Sequence, residues 1–479
     1  MPGGNWNTFT IIDPGTRPGF YANFIADAIA GVIGGEQGVV CVPVTAAWGP
    51  IREFLTFETE AEALAAFTNY AAGNALFSVV EALRGGARSV LAYRVAASAA
   101  AVATLTLTDT AGSPADIVRI DAMYKGAYGN DLRVTVQVDP VDDTVQNLKV
   151  LDVSGTLLHQ FDFTADDVDA LVAAVAADTD NVYITATKLG VGDSTIAAIS
   201  ASALTGGDSG IAGVTNTDYV NAHAAMETVD FQVYALTATD STTQDAAKLW
   251  VTQQRADGVR IQLVYGAAAA ETLTNQRAEA EDANHEGIVY VGHGAYRDGV
   301  LYSGGALAPH IAGMVAGAGS QKSTTHAKVT SFDDAEVRLS NPNIKENLRH
   351  GVLTLVHNGE YLMIEKGINT LTNYSQEQNE RFSKIRVIST LDAVAKAITK
   401  SADANWIGKI DNDEDGRKAL IAAIKSFLDS LVRDRILRTG NEVKQDPERE
   451  SLGDRFFLYI KIYPVDSIDY IYTTISVGQ

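Results

Sequence analysis

The sequence predicts a multidomain protein of mixed α+β and α/β class, and three observations predict it. The chain has 479 residues, more than one hydrophobic core serves, so two to four folding units are expected. Its composition shifts sharply near residues 100 and 216. Beyond residue 216, continuous apolar runs alternate with helical stretches, which is the rhythm of a parallel sheet with right-handed crossovers. With 46% hydrophobic and 20% charged residues, wholesale disorder is excluded.

Taken in order, residues 1–25 hold Pro2, Pro14 and Pro18 and several glycines around Ile11 and Ile12, and read as an extended arm. Residues 26–100 form an α/β segment. It has an apolar strand at 39–44 and a capping box, Thr59 with Glu62, that opens an Ala-rich helix over 60–71. A second helix over 75–83 stops at Gly85-Gly86, and a strand follows at 89–95. Residues 101–215 are Thr-, Val- and Asp-rich with short alternating runs at 103–108, 132–138 and 182–187, so a β-rich module is expected, with one helix near 165–177. This block holds sixteen Asp, no Glu and five Lys/Arg, half of the formal net charge of −22, and reads as a separate, well-solvated domain.

Residues 216–366 supply strands at 231–236, 259–265 and 288–291 with helices over 244–255 and 271–285 between them. Asn358-Gly359 is a good hairpin turn between 352–356 and 361–364. Residues 367–467 carry helices over 390–399 and 417–437. In the second, Leu420, Ile424, Phe427 and Leu431 share one face. Strands at 456–463 and 468–477 close the chain.

The acidic balance argues against a nucleic-acid surface and against an anionic membrane. One cysteine, Cys41, excludes an intramolecular disulfide and a cysteine-rich zinc site. The N-terminus lacks a signal peptide's basic and apolar regions, and no stretch reaches the roughly 18 apolar residues of a spanning helix, so synthesis in the cytoplasm as a soluble protein is expected.

Chemistry is sparse. Gly207-Asp208-Ser209-Gly210 matches a serine-protease nucleophile loop only in part and reads better as a turn. His293, between two glycines after a predicted strand, is placed where α/β enzymes put ligands, but a turn histidine is the simpler account. Asp411, Asp413, Asp415 and Gly416 fit the start of a calcium loop, yet its last position is Ala422; an acidic lead-in to a helix explains them as well. The run from Gly317 to Ser323 misses the glycine before Lys322 that a phosphate loop needs, and His285, Glu286 and His326 fit no metal-ligand spacing. No catalytic, cofactor or metal site is expected. A hydrolase using His293 or Ser209 is the enzyme alternative, and receptor binding by residues 101–215 is a third.

The ends and one basic helix carry more signal. In the last strand Ile471, Thr473, Ile475 and Val477 point one way and Tyr470, Tyr472, Thr474 and Ser476 the other. With Ile468 at its start, and with Ile11 and Ile12 in the first arm, it forms an expected inter-subunit contact, since a terminal strand can be added to a neighbour's sheet. Residues 381–438 are net positive, with Arg417, Lys418, Lys425, Arg433, Arg435 and Arg438 on and beside the second helix. They are an expected docking surface for an acidic partner.

Four segments resemble contractile phage tail sheath proteins. They are Gly85-Gly86-Ala87-Arg88-Ser89-Val90-Leu91-Ala92-Tyr93-Arg94-Val95, Lys125-Gly126-Ala127-Tyr128-Gly129-Asn130-Asp131-Leu132, Gly367-Ile368-Asn369-Thr370-Leu371, and 382–392 with its Ile-Arg-Val-Ile-Ser-Thr core. Their order and spacing span roughly residues 20–479. The resemblance implies a sheath core, with 101–215 as an outward β-sandwich-like insertion, 216–366 as a subtilisin-like α/β domain and 367–467 as a domain whose basic helix faces the tube. It implies a helical assembly of many copies in stacked hexameric rings around a tail tube protein, with baseplate and tail terminator or neck proteins as further partners. The outer domain would be free to meet the host surface. Contraction would drive the tube through the host envelope for genome delivery. A headless bacteriocin or injection machine is the alternative setting. No cofactor is implied.

Overall fold

A computed structural model of the chain describes residues 38–67, 73–165, 167–190, 195–376 and 378–477. The expected arm at 1–25, with Ile11 and Ile12, lies outside them. The described chain divides into a larger unit, Glu36–Ser389 with Ser467–Gln479, and a smaller one, Thr390–Asp466. The helix Ile385–Asn405 carries the chain from the first to the second.

The larger unit is organised by a seven-stranded sheet in the order Val352–Leu353, Ile288–Val291, Gln262–Gly266, Val233–Ala235, Val39–Val44, Ser89–Arg94, Phe54–Phe57. All neighbours pair in parallel except the last, which is antiparallel. A parallel sheet is covered on both faces, which is why its strands are apolar without alternation. Along the strand Val39–Val44 every residue is buried. Val40, Val42 and Val44 face a core shared with the helices Ala75–Gly85 and Gly304–Ala318, while Val39 and Cys41 face a second core with Tyr234, Tyr265 and Tyr290.

Three helices were not expected: Asn216–Met226, Gly304–Ala318 and Asn341–Arg349. The second is buried on nearly every side and built of small residues around Pro309, so it shows no amphipathic period. The expected strand at 352–356 is two strands. Val352–Leu353 joins the large sheet, and Leu355–His357 pairs with Leu362–Ile364 around Asn358-Gly359.

Residues 101–215 form two further sheets. One orders Ile199–Ala203, Arg133–Val138, Val145–Leu151 and Leu157–Thr164, and the other Thr104–Thr108, Asp116–Ala122 and Ile184–Lys188. The helix Val168–Ala177 starts at Asp167, whose carboxylate accepts from the Ala170 amide. Leu132, Val134, Leu148, Phe161 and Leu171 build a core of their own.

The smaller unit packs the helix Glu414–Arg433 through Ile424, Phe427 and Leu428 on Val394 and Ala397, beside a two-stranded hairpin of Glu442–Gln445 and Leu458–Lys461. The helix begins earlier than residue 417 because Asp413 caps it, accepting from the Gly416 amide at 2.7 Å. The predicted strand at 468–477 is not one: it pairs with no described strand and runs extended and exposed. Its alternating sequence has the strand pattern, but a strand needs a partner to bond, and none of the described strands pairs with it.

Candidate assembly surfaces

The C-terminal segment is fixed at its root and free beyond it. Ser467 donates to Asp469, and the Lys384 ammonium lies 2.7 Å from the same carboxylate. Burial alone would raise the Asp469 carboxyl, but these two bonds outweigh it and hold it below its usual range. Lys366 reaches the Tyr470 ring face, 5.8 Å from its centroid. After that anchor the chain departs into solvent. Ile471 is 81% exposed, Tyr472 93%, Ile475 83% and Val477 90%, and Ile468, Tyr470 and Thr473 are exposed with them. Apolar side chains of this size are rarely left contiguous in water unless they mark a contact surface. The root pair escaped the sequence analysis because its partners are far apart in the chain and neither lies in a motif.

In the smaller unit, the hairpin strands Glu442–Gln445 and Leu458–Lys461 pair with each other and with no other described strand. Among the described residues each therefore keeps a row of unbonded backbone groups, the feature that invites strand addition. Lysines stand on both, as they do on many exposed edges: Lys444 over Tyr459 at 5.0 Å and Lys461 over Tyr463 at 5.3 Å. The strand Glu442–Gln445 was missed because Glu-Val-Lys-Gln carries one apolar residue.

The six basic residues do not act as one stripe. Lys418, Lys425 and Arg433 share the exposed face of the helix Glu414–Arg433, but Asp429 sits among them and Glu414 pairs with Lys418 at 2.6 Å. Arg417 turns aside, donating to the Asn412 side chain at 2.6 Å and lying over Phe456. Arg435 and Arg438 follow the helix end, Arg435 with a left-handed backbone at φ 60°. Both are exposed.

The chemical candidates resolve into structural roles. Ser209 is buried in a turn where the Gly210 amide donates to Asp208 at 2.7 Å. His293 is wholly buried, with Nε2 on the Leu355 carbonyl at 2.9 Å, and burial pushes its pKa down. Gly317 ends the helix Gly304–Ala318, whereas a phosphate cradle needs a helix N-terminus. His285 accepts from the Gly287 amide. Asp413 is a helix cap. Among the described residues no group of three or more His, Cys, Asp or Glu is arranged to hold a metal, and no helix is long and apolar enough to cross a membrane.

Comparison with known proteins gives a consistent result. Residues 212–370 match the family model of the phage tail sheath protein central domain, and residues 377–478 match that of the phage tail sheath C-terminal domain. The chain is 27% identical to the phage-like element PBSX protein XkdK of Bacillus subtilis, over 99% of its own length and all of that protein. The crystal structure of a sheath tail protein from Desulfitobacterium hafniense superposes with a TM-score of 0.74 at 23% identity, covering 94% of this chain and 97% of that one. The anti-feeding prophage helical sheath in its contracted state shares the fold at a TM-score of 0.56 and 10% identity, over 96% and 98% of the two chains.

Proposed function

The chain belongs to the phage tail sheath family, and from that premise we propose that it polymerises helically around a tail tube, linked copy to copy by residues 468–477. It is a structural subunit of a contractile sheath. The observation that carries the linkage is the C-terminal segment, exposed and largely apolar, paired with no described strand of its own chain. Donated to a neighbour, it would form backbone bonds along a free edge such as the hairpin's and bury up to six large apolar side chains. At about 1.5–3 kcal/mol each, that is on the order of 10 kcal/mol before ordering costs.

Contacts of this kind are heterologous: a segment of one copy meets a different surface of the next, so the assembly need not close and a helix results. Chain-linked subunits stay connected while their packing changes, which is what contraction demands. The extended lattice would be held by a kinetic barrier and would release free energy as new contacts form, so the working step is conformational. In this reading the sheets of 101–215 form the outward insertion, and residues 216–366, whose strands share the large sheet with those of 39–94, form the subtilisin-like middle domain. The smaller unit faces the tube. Baseplate and terminator proteins would cap the two ends.

Deleting residues 468–479 should leave a folded, soluble subunit that forms no tubes when viewed by negative-stain electron microscopy. Tubes of normal length and repeat from that variant would overturn the strand-donation proposal.

A further inference from the structure

Arg94 ends the strand Ser89–Arg94 and is 2% exposed, yet no carboxylate lies opposite it among the described residues. Its guanidinium donates instead to three backbone carbonyls, those of Gly49, Lys125 (2.8 Å) and Ser209 (3.5 Å). Burial lowers its pKa to about 10. A buried cation without a counter-ion is costly to keep, so its position needs an explanation.

The three carbonyls come from three passes of the chain that meet where the acidic insertion leaves the large sheet. Gly49 follows the strand Val39–Val44, Lys125 lies on the connection between the strands Asp116–Ala122 and Arg133–Val138, and Ser209 lies on the return path. The same crossing is stitched by backbone bonds: Ala101 and Asp208 exchange two at 3.0 Å, Gly126 donates to Ala101, and Ala97 donates to Gly210. Asn130 grips Gly207 through both its amide nitrogen and its oxygen, each at 2.8 Å. Gly126 is packed so closely that a Cβ there would overlap the Ala47 carbonyl. Trp48, from the main fold, is buried in the insertion's own core, edge-on to Tyr124 at 5.2 Å and Tyr128 at 4.8 Å. Beside the joint lies an open cleft of about 820 Å³, with Arg52 and Glu53 on one wall and Val102 and Met123 on the other.

We infer that Arg94 and Trp48 lock the acidic insertion to the large sheet as one rigid body, Arg94 clasping the three chain passes and Trp48 anchoring one core in the other. A reorientation of the sheet is then transmitted in full to the insertion. The segments 85–95 and 125–132, separated in sequence, meet in this joint. The inference concerns the subunit alone and stands whether or not strand donation is correct.

The test places spin labels at Ser154→Cys on the insertion and Thr242→Cys on the main fold, both exposed positions, with the buried Cys41 left unlabelled. Labelled full-length chain is diluted into unlabelled excess, and the distance distribution is read by pulsed dipolar spectroscopy. A single narrow distribution is expected, broadening in Arg94→Lys, which keeps the charge and loses the fork. In that variant the amides of Ala101, Gly126 and Asp208 should exchange about tenfold faster, while those of Val40, Val90 and Leu148 keep their protection. Should Arg94→Lys fail to fold, Trp48→Phe, which keeps an aromatic ring but withdraws the larger indole from Tyr124 and Tyr128, is read the same way. A broad distribution in the parent chain, or an unchanged narrow one in the folded variants, overturns the inference.

Discussion

His223 stacks on Trp250 with ring centroids 4.7 Å apart and planes 8° from parallel, and its Nε2 meets the Tyr234 hydroxyl at 3.0 Å. Burial pushes its pKa down to about 4 from the ordinary 6.5. The unfolded chain therefore binds a proton that the folded chain refuses throughout the window between those values. The stability this ring contributes is fully present above pH 6.5 and is lost as pH falls toward 4, by up to about 3 kcal/mol. Replacing it by Gln should make the thermal midpoint of the larger unit less sensitive to pH between 7 and 5, at some cost in stacking at neutral pH. Equal pH sensitivity in the two proteins would show that His223 binds its proton equally well in the folded and unfolded chains. The same reasoning separates this histidine from a catalytic one. Its pKa is moved by packing, and its partners are a phenol and an indole.

The pairing of the helices Ala75–Gly85 and Gly304–Ala318 depends on glycine at the crossing. A Cβ on Gly313 would overlap the Ala82 carbonyl, and one on Gly85 would overlap that of His310. Between the same helices Glu81, buried, bonds His310 Nδ1 at 3.0 Å and pairs with Arg297 at 2.7 Å. Gly313→Val should force the helices apart and destabilise the larger unit by about 1–3 kcal/mol, read as a lower thermal midpoint with the smaller unit's transition unmoved. An unshifted midpoint would mean that the pair can separate without loss. The helix Gly304–Ala318 also shows what the sequence withholds. The strands Val39–Val44 and Ile288–Val291 were legible because buried parallel strands are continuous apolar runs, and the helix Glu414–Arg433 because one face is apolar. A helix enclosed on all sides by close backbone contacts has neither signature. The terminal segment was legible as a pattern only. Alternation says which side chains would share a face, but not whose sheet receives them, and the root pair of Asp469 with Lys384 joins residues that no local rule connects.

The net charge of −22 is unevenly held: residues 101–215 carry half of it, while residues 390–466, with thirteen Lys/Arg against fourteen Asp/Glu, are almost neutral. Copies of such a molecule repel one another at long range, and least through the smaller unit. On the proposed reading two salt effects of opposite sign follow. The screening length falls from about 30 Å at 0.01 M salt to about 8 Å at 0.15 M, so added salt should speed self-assembly without a tube by weakening repulsion between copies. Attachment to an acidic tube should instead slow, because the attraction steering the basic residues is screened as well. The exposed face of the helix Glu414–Arg433 is diluted by Asp429 and by the Glu414–Lys418 pair, so the steering charge falls mainly on Arg433 and Arg435. Reversing both to Glu should leave the subunit folded, slow tube-templated growth at low salt, and remove most of its salt dependence, with tube-free assembly little changed. Templated growth with the parent's rate and salt slope would show that these arginines are ordinary solvated surface and that the tube is recognised elsewhere.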